Sequence, residues 1–185
     1  MTVLDHFDPI AIAAVLNRPG AVVVLRTDTL YGLVARAADP AAVRRVYELK
    51  RRRPDKHLIV LINDRAQVFD PFPPAATELA DDFWPGRVTI IAPAPHAPAH
   101  LLKSSNTIGY RLPAVAGLRE LVALAGPLVA PSANLEGQPP AADIAAARDY
   151  FGDQVDMYVD SGRVADLTPS RIYEIMDDGE VIRRR

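Results

Sequence analysis

The chain has 185 residues, of which 49% are hydrophobic and 24% charged, and its formal net charge at pH 7 is −2. These values are typical of a globular protein, and we expect a single domain over residues 1–185. The absence of cysteine excludes zinc ribbons, thiolate chemistry and disulfide scaffolds. The N-terminal stretch carries acidic residues before a short apolar run, unlike a secretory signal, so we expect a cytoplasmic protein without a membrane segment.

Positive charge is concentrated in one segment of the chain. Residues 36–65 hold nine basic and four acidic side chains, which gives this segment a net charge of +5 and leaves −7 for the rest. A focused positive patch on an acidic protein favours a polyanionic ligand of limited size over a long nucleic acid duplex.

Predicted helices and strands alternate along the chain. Asp8-Pro9 and Asp39-Pro40 each combine a helix N-cap with a proline at the first helical position, which predicts a helix over 9–18 and a second from residue 40. Further helices are predicted over 75–83, 115–125 and 141–150. Apolar runs predict strands over 21–25, 58–62, 88–92, 107–111, 128–130, 157–160, 171–175 and 181–183, the last two joined as a hairpin. This order predicts an α/β fold with a mixed sheet and helices on at least part of both faces.

The second helix is amphipathic. Val43, Val46, Tyr47 and Lys50 recur at i, i+3, i+4 and i+7, and the first three form its apolar face.

A first polar cluster, Thr27-Asp28-Thr29, follows the strand at 21–25. In extended chain the hydroxyls at i and i+2 project from one face, at the strand end where open α/β sheets bind ligands. The alternative is a turn in which these side chains cap the local backbone.

A second cluster spans residues 50–56. Pro54 disfavours helical angles at Arg53, so we expect the helix to end near Lys50 and to present Lys50 and Arg52 together from extended chain. Converging cations suit phosphate oxygens. A solvated basic helix end, stabilised by the helix dipole, is the alternative.

A third cluster is Ser132-Ala133-Asn134. A hydroxyl and an amide at this spacing could bind a ribose or a nucleobase edge. A helix N-cap or an Asx-turn is the alternative.

Several common catalytic motifs are missing. The four histidines show no metal-ligand spacing, so we expect no metal site built from protein side chains. Neither a G-x-S-x-G elbow nor a Walker A loop is present, which removes the commonest serine hydrolase and P-loop NTPase interpretations.

Taken together, these stretches resemble the YrdC family of L-threonylcarbamoyladenylate synthases, from about residue 10 to residue 183. The family's markers occur in order: RTDTLYGL at 26–33, Lys50-x-Arg52, FWPGRVT at 83–89, IGYRLP at 108–113 and Ser132-x-Asn134, followed by DSG at 160–162, TPSRI at 168–172 and VIRR at 181–184. Four residues depart from the family's pattern, Arg26, His57, Arg87 and Arg171, and Pro54 sits one place later than in the family's K-x-R-P.

The resemblance implies a YrdC-like fold, with a twisted mixed sheet, surrounding helices and a concave, positively charged cavity. It implies a nucleotidyl transfer in which L-threonine, bicarbonate and ATP form threonylcarbamoyl-AMP and pyrophosphate, for the threonylcarbamoyladenosine (t6A) modification of tRNA. ATP is then a substrate, and Mg²⁺ is held mainly by its triphosphate. The implied partner is a tRNA-modifying threonylcarbamoyl transferase complex of the TsaD/TsaB/TsaE type, with weak tRNA contact as a further expectation.

The implied chemistry assigns roles to eleven residues. A carbamate oxygen attacks the α-phosphorus of ATP, so cations are needed and a covalent nucleophile is not. Lys50 and Arg52 are the candidate catalytic residues, on the phosphates. Nucleotide binding would involve Lys50, Arg52, Ser132, Asn134 and Arg183. Substrate binding would involve Thr27, Thr29, Tyr31, Lys56, Arg111 and Ser170.

Two other functions are compatible with parts of the sequence. A binding module for structured RNA without chemistry would account for the positive segment and for the closing run Arg183-Arg184-Arg185. The second alternative is a related protein of the same fold that handles another carbamoyl compound. The intact K-x-R and S-x-N pairs argue against this alternative.

Overall fold

The fold is built on one mixed β-sheet. The structure is a computed structural model that describes residues 2–53, 55–102 and 105–185. The described residues form ten strands: β1 (Thr2–Leu4), β2 (Val23–Arg26), β3 (Tyr31–Arg36), β4 (Ile59–Leu61), β5 (Val88–Pro93), β6 (Thr107–Arg111), β7 (Leu128–Val129), β8 (Met157–Val159), β9 (Arg171–Ile175) and β10 (Val181–Arg183). Their spatial order is β1-β8-β2-β3-β7-β4-β6-β5-β9-β10.

The sheet contains both parallel and antiparallel pairs. β8 pairs in parallel with β1 and β2, β4 with β6, and β5 with β9, whereas the remaining neighbours are antiparallel. The predicted mixed sheet is therefore confirmed, and β9 and β10 form the predicted hairpin.

Five α-helices cover both faces of the sheet. They are α1 (Pro9–Leu16), α2 (Pro40–Lys50), α3 (Pro74–Phe83), α4 (Ala116–Ala125) and α5 (Ile144–Phe151). Successive residues of β2 point to opposite faces, and Val24 joins a core with α2, α3 and α5, whereas Val23 joins a core with α1 and α4. The expectation of helices on both faces is confirmed. No helix in the described part of the chain is long and apolar enough to cross a membrane.

The helix starts follow the predicted capping chemistry. Asp8 accepts hydrogen bonds from the backbone N–H groups of Ile10 and Ala11, and Asp39 accepts from those of Ala41 and Ala42. Each carboxylate therefore satisfies N–H groups that the first helical turn leaves without a partner.

Two strands were not expected from the sequence. β3 was not among the predicted strands, although its residues from Tyr31 to Ala35 are buried and the strand pairs with both β2 and β7. β1 is a short edge strand with mostly exposed residues, so it has little apolar pattern to reveal it.

Candidate functional site

A cavity of about 190 Å³ lies against one face of β4, β6, β5 and β9. Its floor is a row of three residues on neighbouring strands, because Gly109 of β6 is in register with Ile59 of β4 and with Ile91 of β5. On the opposite face of the same strands, Tyr110 and Ile90 are buried in the core. The strand alternation thus gives one face to packing and the other to the cavity.

Gly109 makes the floor concave. A Cβ at this position would lie 3.3 Å from the Thr89 methyl group and 3.4 Å from Ile91 Cγ1. Any larger side chain would have to occupy the cavity or displace these neighbours. This glycine was not singled out from the sequence, although its i, i+2 spacing to Arg111 on a strand was an available signal.

The first predicted cluster forms one rim of the cavity. Thr27 Oγ1 donates to the Leu30 carbonyl at 2.8 Å and lies 3.1 Å from Thr29 Oγ1, and both threonines line the cavity. The backbone N–H groups of Thr29 and Leu30 also donate to Thr27 Oγ1. Thr27 therefore caps a turn and lines the cavity as well, so the turn is confirmed and ligand binding by these hydroxyls stays a prediction.

Tyr31 connects this rim to the segment at residues 160–162. Tyr31 is one of the residues that line the cavity and its side chain is fully buried in the core, while its hydroxyl donates to the Gly162 carbonyl at 2.8 Å and accepts from the Ser161 N–H at 3.0 Å. Tyr31 thus anchors the family's DSG element behind the cavity wall.

Lys50 and Asn134 form a buried hub. Lys50 Nζ donates to the carbonyls of Ser132 and Asn134 at 2.5 and 2.9 Å and to Asn134 Oδ1 at 3.0 Å, and Lys50 is 1% exposed. Asn134 Oδ1 also accepts from the Ser132 hydroxyl, and its amide nitrogen donates to the carbonyls of Leu135 and Gln138. Ser132 lines the cavity, whereas Lys50 and Asn134 do not.

The hub corrects the expected local geometry at Lys50. Lys50 is the last residue of α2 rather than part of extended chain, and Arg51 ends the helix in the left-handed conformation with φ of 50°. Pro54, used to predict this helix end, lies outside the described residues. Burial, together with the smaller effect of the nearby Arg52 charge, lowers the pKa of Lys50 to about 7.

Arg52 and Lys56 follow in a loop that Glu136 holds in place. Arg52 lines the cavity and donates from Nη2 to the His57 carbonyl at 2.9 Å. Lys56 pairs with Glu136, whose other carboxylate oxygen accepts from the Arg53 N–H at 2.8 Å. Lys56 itself does not line the cavity.

Arg111 and Ser170 line the cavity from β6 and from the residues before β9. Arg111 Nη2 lies 3.1 Å from Asp28 Oδ1, and both side chains are 3% exposed. Burial lowers the pKa of Arg111, whereas the Asp28 carboxylate raises it. Ser170 is 1% exposed, with its hydroxyl 3.0 Å from Thr89 Oγ1.

Arg183 does not line the cavity. Its side chain is exposed on β10, and it is Arg185, two residues on, that lines the cavity and donates from Nε to the Ser170 carbonyl at 3.0 Å. Arg185 was missed because the resemblance pointed to Arg183, the first arginine of the same run.

The departures from the family's pattern are mostly accommodated at the surface. Arg26 donates to the Ser161 carbonyl, Arg87 pairs with Asp166, and Arg171 lies over the Phe83 ring at 4.8 Å. None of these three lines the cavity, whereas His57 does.

The positive segment at 36–65 is not one open surface. Lys50 is buried, and Arg45, Lys56 and Arg65 pair with Asp156, Glu136 and Asp81. Much of its charge is therefore compensated within the fold.

The cavity lining contains hydroxyl groups and three guanidinium groups. Among the described residues that line it none is acidic, and no group of three or more metal-ligating side chains occurs in the described part of the chain. Because Mg²⁺ prefers carboxylate and phosphate oxygens, these residues do not form a Mg²⁺ site of their own.

A mixed sheet with helices on both faces and a cavity lined by hydroxyl and guanidinium groups defines an α/β protein that binds a small polar ligand. Comparison with known proteins is more specific. The model of the Sua5/YciO/YrdC family, described as "Telomere recombination", matches residues 15–185. The chain therefore belongs to this family.

Relatives of the chain share one name. A Mycobacterium leprae protein called a putative threonylcarbamoyl-AMP synthase is 34% identical over 95% of this chain and 84% of its own length. The Bacillus subtilis threonylcarbamoyl-AMP synthase is 38% identical over 98% of this chain, which spans 54% of that protein. The Coxiella burnetii one is 30% identical over 97% of this chain and 98% of its own length.

Solved structures show the same fold. The crystal structure of Pyrococcus abyssi Sua5 complexed with L-threonine matches with a TM-score of 0.88 and 27% identity, over all of this chain and 57% of that one. Escherichia coli YciO matches with a TM-score of 0.84 and 22% identity, over all of this chain and 92% of that one. The predicted YrdC-like fold is confirmed.

Proposed function

We propose that this chain is a threonylcarbamoyl-AMP synthase, which converts L-threonine, bicarbonate and ATP into threonylcarbamoyl-AMP and pyrophosphate. The observation that carries the proposal is that one cavity brings together Arg52, Arg111 and the hydroxyls of Thr27, Thr29 and Ser170. The names of the relatives support it, and this chain covers 84% and 98% of the length of two of them.

The site suits a reaction between two anions. Bicarbonate takes up a proton and loses water to give carbon dioxide, and the threonine amine adds to it and releases a proton to give a carbamate. A carbamate oxygen then attacks the α-phosphorus, and the bond between the α-phosphorus and the bridging oxygen breaks as pyrophosphate leaves. Both reactants are negatively charged, so their approach is favourable only where fixed cations compensate the repulsion. The three arginines of the lining outnumber the acids there, which supports the proposal of a positive cavity.

The two catalytic candidates then have different tasks. Arg52 reaches the cavity and is the direct phosphate ligand in this proposal. Lys50 directs all three of its N–H groups to the segment that carries Ser132, so its first role is to fix the Ser132 hydroxyl beside the nucleotide. Asn134 acts in the same way, because its amide group is already engaged within the protein.

The remaining assignments are distributed around these. The amino acid and its carbamate would be held by Arg111, Ser170, Thr27 and Thr29. Tyr31 would form part of the cavity wall beside them. Lys56 and Arg183 stay predictions for substrate and nucleotide contact. Mg²⁺ would enter with the ATP triphosphate as part of the substrate.

The cellular context is also a proposal. Threonylcarbamoyl-AMP must be consumed by a transferase that places the threonylcarbamoyl group on tRNA, which fits a complex of the TsaD/TsaB/TsaE type. Contact with tRNA, a cytoplasmic location and a single domain over residues 1–185 stay predictions.

The test is one reaction with single omissions. The purified chain is incubated with ATP, Mg²⁺, bicarbonate and L-threonine, and pyrophosphate is measured. We expect pyrophosphate only in the complete mixture, with a nucleotide product that carries the threonine carbon skeleton. Pyrophosphate release that does not require threonine, or that another amino acid supports equally, would contradict the proposal.

A further inference from the structure

Asp28 lies behind the cavity, between two residues that face it. Thr27 and Thr29 line the cavity, whereas Asp28 does not. Asp28 lines a second cavity instead, of about 260 Å³, beside the apolar side chains of Phe7, Val115 and Leu118.

From this side Asp28 meets Arg111. The Asp28 carboxylate and the Arg111 guanidinium form an ion pair in which both side chains are 3% exposed. Neither Asp28 oxygen has a hydrogen-bond partner among the described residues, so the ion pair is the interaction that the structure gives this carboxylate. Burial of an unpaired carboxylate is unfavourable in free energy, which indicates that the negative charge of Asp28 serves to interact with Arg111.

Arg111 contacts Asp28 and also lines the cavity. Its Nε is buried and has no hydrogen-bond partner within the described chain. A guanidinium has five N–H donors in a rigid plane, so a carboxylate bound at one edge fixes the direction of the remaining N–H donors. An acid on the far side from the ligand therefore orients the guanidinium without occupying the binding surface.

The turn at residues 27–30 fixes the carboxylate. Thr27 Oγ1 accepts from the N–H groups of Thr29 and Leu30 and donates to the Leu30 carbonyl. These bonds hold the backbone on both sides of Asp28. One tripeptide thus places two hydroxyl groups in the cavity and a carboxylate behind Arg111.

We propose that Asp28 is a positioning residue, which aims the Arg111 guanidinium at the carboxylate group of the amino-acid substrate. This inference rests on the proposed function. Because the amino acid and not the nucleotide depends on this arginine, loss of Asp28 should weaken threonine use selectively.

The variant Asp28→Asn keeps the shape of the side chain and removes its charge. We expect KM for L-threonine to rise about tenfold or more, since a misplaced binding group costs up to about 100-fold, while KM for ATP changes less than twofold. Asp81→Asn is the matched control, because Asp81 pairs with Arg65 at the surface, away from the cavity. We also expect KM for L-threonine in the double variant Asp28→Asn/Arg111→Lys to be less than threefold higher than in Arg111→Lys alone.

Two results would overturn the inference. One is a KM for threonine within twofold of wild type in Asp28→Asn. The other is a double variant in which the rise in KM for threonine equals the product of the rises in the two single variants. If Asp28→Asn does not fold, Asp28→Glu decides, because it keeps the charge and moves the carboxylate by about one methylene length. A folded Asp28→Glu with unchanged KM for threonine would show a structural role only.

Failure of the proposed function gives a different result. Wild-type protein would then release no pyrophosphate in response to threonine. The crystal structure of Asp28→Asn still decides the inference in that case: we expect the Arg111 guanidinium to shift or rotate, and an unmoved guanidinium would overturn it.

Discussion

Replacing Arg52 by alanine removes one fixed cation from the cavity. The guanidinium lines the cavity and donates one hydrogen bond, from Nη2 to the His57 carbonyl at 2.9 Å. Loss of that bond costs about 1 kcal/mol of stability, whereas loss of one preorganised electrostatic group costs about 2.7–4 kcal/mol in the transition state. We therefore expect kcat/KM for threonine-dependent pyrophosphate formation to fall about 10²–10³-fold.

The neighbouring variant Arg53→Ala is the control for this experiment. Both variants lower the net charge equally, but the Arg53 side chain is exposed, pairs with Asp55 and does not line the cavity. We expect Arg53→Ala to stay within about threefold of wild type, since an exposed ion pair contributes little. Activity is measured by pyrophosphate release and folding by Tm. A folded Arg52→Ala with near-wild-type turnover, or equal losses in both variants, would refute the assignment of Arg52 to the phosphates.

Three further predictions concern protonation, the cavity rim and the metal. The pKa of Lys50 is about 7 in the folded state and 10.5 when unperturbed, so the unfolded chain holds more protons between these values and stability rises with pH there. Between pH 7 and 9 wild type should gain about 2 kcal/mol over Lys50→Met in urea unfolding, and parallel pH profiles would contradict this. Arg185→Ala should raise KM for threonine or ATP about threefold to tenfold, whereas Arg184→Ala should not. Equal KM values in these two variants would show that Arg185 is not part of the site. EDTA should stop pyrophosphate formation without lowering Tm, and a large fall in Tm would indicate a protein-bound structural metal.

Local sequence signals were sufficient for the elements with strong caps or apolar runs. Asp8 and Asp39 marked the helix starts correctly, and the strands at 107–111, 171–175 and 181–183 have the predicted bounds. β3 was missed although a local signal was available: Leu33, Val34 and Ala35 form an apolar run, and β3 pairs with β2 directly across the turn at residues 27–30. Only its last two residues pair with β7, almost a hundred residues later in the chain.

The burial of Lys50 had a signal that was not used. Lys50 recurs at i+7 in the helical pattern of Val43, Val46 and Tyr47, all of which are buried in the structure. A lysine on an apolar stripe indicates a buried ammonium that needs acceptors, and the Ser132–Asn134 segment supplies them. The identity of those acceptors, 82 and 84 residues away, could not follow from the helix alone.

The pairing of Asp28 with Arg111 was equally inaccessible to sequence patterns. Both residues lie in recognised motifs, but spacing within a motif cannot show which side of a turn faces a residue on another strand. The structure supplies this information because β6 and the turn at residues 27–30 meet only in the folded chain.

A crystal structure of the chain with L-threonine, bicarbonate and a non-reactive ATP analogue tests the central claim most directly. We expect the triphosphate to contact Arg52 and the threonine carboxylate to contact Arg111, with Thr27 and Thr29 beside the amino acid. A nucleotide bound outside this cavity, or Arg52 directed into bulk solvent in the complex, would contradict the account.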